Sequence, residues 1–285
     1  MDRDALRSNM TAVRRLLHGT GVSHRPHFKA HKCLEISRLQ IEFGANGFCA
    51  ATVGEAEVLA ALDTSVLLTS IVFSDTNLGR VAELRATGCE LTLVVDDAVT
   101  AQRMSSALTA RGSAAEVLID IDTGRGRSGC GSVDEARQPA QQVEQLPGLT
   151  LGGLQLYAGH LSHLRDPAAR AREHADFRGL VTRHREALAD LLPAAPIITG
   201  GSTGSLVLEL RDPVLSEVQC GSCALMDVEY LHGRLDFTSG HRPPTGARIE
   251  CGVPHCDPSI NLFDVAHVVS GDVLVDVWAI DARGA

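Results

Sequence analysis

Residues 91–124 read LTLVVDDAVTAQRMSSALTARGSAAEVLIDIDTG and contain an apolar run, a helix-like segment and a second apolar run. The runs 91–97 and 116–124 lack the polar alternation of a half-buried strand, which predicts strands covered on both faces. The helix-like segment 96–112 lies between them. A strand, a helix and a strand in this order predict a parallel βα unit.

The same alternation continues in both directions along the chain. The predicted strands are 26–32, 47–52, 65–72, 91–97, 116–124, 151–159, 196–201 and 217–225, and the helix-like segments include 4–19, 54–63, 96–112, 133–146 and 166–192. Eight such units favour an α/β fold of the (β/α)8 barrel type, which typically takes about 250 residues. A doubly wound open sheet is the alternative, but no GxGxxG motif follows the first strand, and GRGRSG at 124–129 is interpreted as a loop.

The character of the sequence changes after the eighth strand. Residues 1–230 are predicted to form the barrel, and residues 231–285 a short C-terminal β segment. The stretch 231–250 is rich in Gly, Pro and Arg, whereas AHVVSGDVLVDVWAI (266–280) predicts two strands joined by a tight turn. A β segment of this size holds little core of its own, so we expect it to pack on the barrel or on a partner subunit.

Composition excludes several classes of function. The formal charge of −9 argues against a nucleic-acid or anionic-membrane partner, since phosphate binding needs an excess of basic side chains. No apolar run approaches the roughly 18 residues of a membrane span, and the N-terminal residues do not resemble a signal peptide. The eight cysteines are scattered along the chain. We therefore expect a cytoplasmic protein without a disulfide framework.

The chain contains only two lysines, Lys29 and Lys32, and both lie in HRPHFKAHK (24–32). With the period of a strand, His27, Lys29 and His31 would share one face. Desolvation inside a barrel makes a lysine amine a nucleophile. The alternative is a lysine at a strand end whose amine reaches solvent, which is the commoner case.

Other polar residues collect at the predicted strand ends. The stretch TGGSTGS (199–205), with Gly221 and Ser222, predicts an anion site built from backbone amides and hydroxyls, or else a plain polar turn. His255 and Asp257 would point the same way in an extended segment and suit Zn²⁺, Mn²⁺ or Mg²⁺, unless Asp257 and Pro258 form a turn. Tyr157, His160 and His163 follow strand 6 and offer a ring to stack on and candidate bases, with core packing as the alternative for each.

Seven motifs together resemble the D-threonine aldolase family, a group of alanine-racemase-like (fold-type III) pyridoxal-phosphate enzymes. The motifs are HRPHFKAHK (24–32), GFCAATVGEAEVL (47–59), IDTGRGRSG (121–129), LQLYAGHLSH (154–163), ITGGSTGS (198–205), VQCGSCALMDVEY (218–230) and PHCDPSINLFD (254–264). The resemblance runs over about residues 4–230 and again over 249–283. It implies a barrel of the alanine racemase N-terminal type.

The resemblance also implies roles for individual residues. Lys29 would hold pyridoxal 5'-phosphate as a Schiff base, and His163 would be the catalytic base. His255 and Asp257 would bind a divalent metal. The remaining cofactor contacts would come from Arg127, Tyr157 (also a catalytic residue), Thr199, Gly201, Ser202, Thr203, Gln219 (facing the pyridine nitrogen), Gly221 and Ser222.

The implied reaction is retro-aldol cleavage of a small D-3-hydroxy amino acid, such as D-threonine, to glycine and an aldehyde, with a homodimer as the expected assembly. One alternative is a D-serine or D-3-hydroxyaspartate dehydratase-like lyase. That group carries His-x-Cys at the metal site, whereas this chain has His-Cys-Asp at 255–257. A second alternative is a truncated barrel that binds the cofactor without turnover. It follows from the stretch after Tyr230, where barely 20 residues replace a long β domain.

Overall fold

In the computed structural model, residues 1–225 and 260–285 are described. The strands of the barrel are β1 (Ser23–His24), β2 (Phe48–Ala50), β3 (Val66–Leu68), β4 (Leu91–Val95), β5 (Ala115–Asp120), β6 (Leu149–Tyr157), β7 (Ile197–Gly201) and β8 (Glu217–Val218). The helices are α1 (Arg3–Leu17), α2 (Leu34–Glu42), α3 (Val53–Leu59), α4 (Asp75–Ala86), α5 (Ala98–Thr109), α6 (Val133–Gln145), α7 (Pro167–Ala187) and α8 (Leu206–Glu209).

The eight strands form one parallel sheet in the order β1-β8-β7-β6-β5-β4-β3-β2. Its two ends meet at a single bridge between His27 and Cys49, where the Cys49 N–H donates to the Pro26 carbonyl over 2.9 Å. This contact curls the sheet into a cylinder. The predicted (β/α)8 barrel is confirmed.

Strand β4 shows why these sequences form such a barrel. All five of its residues are buried. Leu93 and Val95 pack in the large cluster between sheet and helices, whereas Val94 joins a cluster with Leu67 and Leu118. Side chains alternate between the two faces of a strand, so a strand covered on both faces is apolar at most of its positions, as β4 is apart from Thr92.

The first predicted strand is wrong in its position. β1 ends at His24, and residues Phe28–Ala30 form a 3₁₀ turn. The rings of Phe28 and His31 meet edge to face with centroids 5.4 Å apart, a contact between positions three apart that a turn permits and a strand does not. The shared strand face of His27, Lys29 and His31 therefore does not exist, and His31 instead bonds Gln40 of α2.

The C-terminal residues form the predicted hairpin. β9 (Val265–Ser270) pairs antiparallel with β10 (Val273–Ala279), and Gly271 in the turn has φ +56°. The hairpin packs on the barrel, since the Val269 N–H donates to the Met1 carbonyl over 2.8 Å and Ile280 lies in a cluster with side chains of α1 and α2. Within the two described ranges, no helix is long and apolar enough to cross a membrane.

Candidate active site at the carboxyl ends of the strands

Lys29, Arg127 and Tyr157 come together although they are far apart in the sequence. The Lys29 Nζ and the Arg127 Cζ each lie 5.5 Å from the centre of the Tyr157 ring. Tyr157 ends β6, Arg127 belongs to the loop after β5, and Lys29 belongs to the turn after β1. The barrel brings these segments to one end, and two cations on one aromatic ring make that end electropositive.

The two lysines have different surroundings. Lys32 is buried, and its Nζ lies 3.1 Å from the Glu55 carboxylate and 3.4 Å from the Ala282 carbonyl. Glu55, in turn, accepts from the Ala51 N–H at the start of α3. Lys29 is half-buried at the mouth of the barrel. Lys29 is thus the lysine whose amine reaches the polar end of the strands.

His27 packs against this group and belongs to the site, although no motif assigns it a role. Its ring packs edge to face against Tyr157 with a centroid distance of 6.4 Å, and its Nε2 lies 3.3 Å from the Thr69 hydroxyl. Burial, followed by the charges of Lys29 and Arg127, holds the pKa of His27 well below its usual range. His27 is therefore a neutral ring at neutral pH. The bridge to Cys49 that places it cannot be read from sequence spacing.

A chain of buried amides crosses the interior of the barrel. The Gln155 Nε2 donates to Asp120 over 2.9 Å and to the Thr69 carbonyl over 3.1 Å. The Gln219 Nε2 donates to the Thr199 hydroxyl over 3.2 Å. The Gln219 Oε1, however, is buried without a hydrogen-bond partner among the described residues. Because a buried acceptor without a donor is costly, this atom marks a place for a ligand N–H.

The ends of β7 and β8 form a second polar surface. The two strands pair in parallel, and each runs into a 3₁₀ turn, Thr203–Ser205 and Ser222–Ala224. The first N–H groups of such a turn have no partner within the turn. Hydroxyls of Ser202 and Thr203 lie beside them. The Gly204 N–H is bonded to the Ser162 hydroxyl and the Ser202 N–H to the Ser205 hydroxyl, and the remaining amides and hydroxyls suit an anion.

Close packing explains the glycine at position 221. A Cβ there would lie 2.4 Å from the carbonyl oxygen of His27. Gly201 has φ +71°, a conformation that side chains disfavour. Glycine at these two positions therefore allows the backbone to follow the path that forms the predicted anion site.

Hydrogen bonds to two aspartates, Asp120 and Asp122, fix the conformation of the loop that carries Arg127. Asp122 accepts from the N–H groups of Gly124, Arg125 and Gly126. Asp120 is buried and accepts from the Ser128 hydroxyl over 2.8 Å. Burial raises the pKa of Asp120. These carboxylates organise the loop and leave the exposed guanidinium of Arg127 beside Tyr157.

The histidines after β6 differ from each other. Both lie on the 3₁₀ segment Gly159–His163, which neighbours the β7 turn through a 3.1 Å bond from the Gly204 N–H to the Ser162 hydroxyl. His163 is exposed and His160 is half-buried. Burial lowers the pKa of His160. The predicted metal ligands His255 and Asp257 lie outside the described residues.

Comparisons with known proteins agree with this architecture. Residues 1–228 match the alanine racemase N-terminal domain family. The chain is 29% identical to D-threonine aldolase from Arthrobacter sp, over 100% of this chain and 91% of that protein. It is 32% identical to 3-hydroxy-D-aspartate aldolase from Paracoccus denitrificans (strain Pd 1222), over 86% of this chain but only 64% of the relative.

Solved structures give the same picture. The crystal structure of D-threonine aldolase from Filomicrobium marinum superposes with a TM-score of 0.87 at 28% identity and covers 100% of this chain and 94% of that one. D-threo-3-hydroxyaspartate dehydratase from Delftia sp. HT23 has a TM-score of 0.68 at 29% identity, over 79% of this chain and 59% of that one. The chain therefore belongs to the alanine racemase N-terminal domain family, among the fold-type III enzymes of D-threonine aldolase type.

Proposed function

We propose that this enzyme is a lyase that uses pyridoxal 5'-phosphate and a divalent metal to cleave D-3-hydroxy amino acids to glycine and an aldehyde. The observation that carries the proposal is the meeting of Lys29, Arg127 and Tyr157 above the polar ends of β7 and β8. An amine, a fixed cation and an aromatic ring beside an anion site suit a planar anionic cofactor.

The buried polar atoms of the barrel fit that cofactor. The unpartnered Gln219 Oε1 needs a donor, and a protonated pyridine nitrogen is one. Because Gln219 is neutral, it would hold this nitrogen without adding a charge to it. The glycine-bounded turns after β7 and β8 suit the phosphate, and the two cations on Tyr157 suit the negative charge of the cofactor.

Each part of the cofactor would then be bound by its own residues of this chain. Lys29 would hold the cofactor covalently and Arg127 its phenolic oxygen, while Tyr157 would lie against its ring or phosphate side. The phosphate and the ring nitrogen would be bound by Thr199, Gly201, Ser202, Thr203, Gln219, Gly221 and Ser222. When bound, the cofactor supplies the electron sink that carbon–carbon cleavage requires.

Cleavage also requires loss of the proton from the substrate hydroxyl. His163 is exposed to solvent on the segment after β6, and histidine is the side chain that most often serves as a general base. His255 and Asp257 would hold the metal that acidifies the hydroxyl. We propose His163 as the base, directly or through water.

The test is product analysis of the purified protein with D-threonine, cofactor and Mn²⁺, Mg²⁺ or Zn²⁺. The aldolase reaction gives glycine and acetaldehyde in equal amounts. Ammonia and a 2-oxo acid would instead identify the dehydratase alternative, to which the Delftia relative belongs by name. Release of neither pair of products, with D-threonine or D-3-hydroxyaspartate, would leave only cofactor binding and refute the proposal.

Gly221→Ala should weaken cofactor binding about 10-fold or more, because its Cβ would meet the His27 carbonyl oxygen at 2.4 Å and displace the β8 turn. Cofactor affinity is measured by absorbance titration of the apoenzyme. Gly79→Ala is the matched control, since a Cβ at this position in α4 meets nothing within 4 Å. Equal affinities for the two variants would contradict the assignment of the β8 turn to the phosphate.

A further prediction concerns the β segment that we assign to residues 231–285. The alignment with the Arthrobacter relative spans 349 positions, more than the 285 residues of this chain, so the relative has segments without a counterpart here. Because these segments are missing, we expect a more open active site. Water that enters such a site weakens the contacts between protein and cofactor. Turnover should be low and cofactor dissociation fast, compared with a version carrying a grafted full-length β domain. Equal turnover and retention in both proteins would show that the missing segment is irrelevant.

A further inference from the structure

Three potential metal ligands meet where β1 pairs with β8, and none of them is among the residues proposed above for the catalytic metal. His24 belongs to β1, and Cys220 and Cys223 follow β8. A ring nitrogen of His24 and the two sulfur atoms all lie within 4.8 Å of one another. Both cysteines are 1% exposed and His24 is 9% exposed. These two cysteines have the C-x-x-C spacing that is common in zinc sites, although the eight cysteines as a whole are scattered along the chain.

We propose that His24, Cys220 and Cys223 bind a zinc ion that fastens β8 to β1. The ligand atoms are already near the required arrangement. Zinc lies about 2.3 Å from sulfur and about 2.0 Å from nitrogen, which places tetrahedral ligands roughly 3.5 to 3.8 Å apart. An inward shift of roughly 1.3 Å or less per pair completes the set.

The charge of the ligand set suits a divalent metal, and its sulfur atoms suit zinc. Two thiolates and a neutral imidazole around Zn²⁺ give a net charge of zero, and a neutral centre is compatible with burial. Sulfur ligands favour zinc over the hard ions Mg²⁺ and Mn²⁺. This preference separates the proposed site from the His255 and Asp257 pair, which offers one nitrogen and one carboxylate.

The fourth position can be taken by water. A cavity lined by His24, Cys223, Met10 and Gln40 has a volume of about 20 Å³. This is enough for about one water molecule. Zinc sites with three protein ligands and a water are well known.

Zinc is bound by thiolates and a neutral imidazole, so the ligands lose protons when the ion binds. Binding of zinc releases two protons to solvent, one from Cys220 and one from the Cys223–His24 pair, and no electron is transferred.

Such an ion would strengthen the seam of the barrel. Strands β1 and β8 pair through only two residues each, Ser23 with Glu217 and His24 with Val218. The His24 Nε2 already donates to the Cys220 carbonyl over 2.8 Å. Zinc would add bonds across the same seam, on either side of Gly221 and Ser222.

The experiment is expression of the full chain in medium with cobalt in place of zinc, followed by absorbance spectroscopy. Thiolate-bound Co²⁺ gives a charge-transfer band in the near ultraviolet, which a nitrogen and carboxylate site does not give. We expect this band in the wild-type protein, and about one zinc ion per chain, retained through dialysis against a weak chelator, when zinc is supplied. Absence of both the band and the zinc from the wild-type protein would overturn the proposal, as would a Cys220–Cys223 disulfide found by mass spectrometry.

Substitutions of Cys220 and Cys223 test whether the charge-transfer band comes from these two residues. Cys220→Ser and Cys223→Ser should each lose the band and the retained zinc, and circular dichroism reports whether they fold. The control is the double variant Cys251→Ser/Cys256→Ser, which removes two thiols outside the described residues and should keep both signals. Loss of the band in the control, or its persistence in folded Cys220→Ser and Cys223→Ser proteins, would contradict the assignment.

Discussion

Lys29→Ala is expected to abolish lyase activity, with a loss of about 10⁴-fold or more in turnover, as is typical when a covalent catalytic residue is removed. The Lys29 amine lies over Tyr157 beside Arg127, and no other lysine side chain is available there, because Lys32 is paired with Glu55. Turnover of D-threonine with excess cofactor is the measurement.

Borohydride reduction followed by peptide mapping gives a readout that does not depend on activity. The reduced cofactor should be found on Lys29 of the wild-type protein. Lys32→Arg is the matched control, since arginine keeps the positive charge beside Glu55, and this variant should keep the adduct on Lys29. An adduct on Lys32, or no adduct in the wild-type protein, would refute the assignment.

Asp257→Ala is expected to remove the metal-dependent part of the activity, a loss of about 10³-fold or more, which corresponds to about 4 kcal/mol of transition-state stabilisation. The reason is that a hard divalent ion held by one histidine alone is bound too weakly to stay in place. Activity is measured against metal concentration, with cofactor content recorded in parallel to show that the barrel remains intact.

Cys256→Ser provides the matched comparison at the neighbouring position. If His255 and Asp257 are the ligands, serine at 256 should leave the metal dependence nearly unchanged. The reverse pattern, with Cys256→Ser inactive and Asp257→Ala active, would make Cys256 the ligand. It would favour the dehydratase reading of the site.

Much of the barrel follows from sequence pattern. Strands such as β4 and β5 are mostly apolar because both of their faces are buried, and the caps of the following helices are visible as Asp97 and Ser132. The first strand could not be placed in this way. A strand-like alternation continues past Pro26, but Phe28 packs against His31 and the chain turns there. Helices α2 and α4 lie outside the helix-like segments named from the sequence pattern.

The candidate site was only partly visible in the sequence. Motifs identify Lys29, Arg127, Tyr157 and Gln219, and the structure brings the first three together. The role of His27 depends on the bridge to Cys49, which is a contact between strands at opposite ends of the sheet. Such contacts carry no local signal, so neither this histidine nor the cysteine cluster around His24 could be assigned from spacing alone.

The pairing of β1 with β8 has a consequence for the order of events in folding. His24 and Cys220 are separated by 196 positions, whereas every other neighbouring pair of strands is consecutive in the chain. During synthesis, the segment from β2 to β7 can pair progressively, but β1 must wait for β8 to emerge. The turn that carries Lys29 follows β1 directly, so the amine reaches its final surroundings in the last step of assembly. A nascent chain should therefore acquire its cofactor only once the barrel is complete.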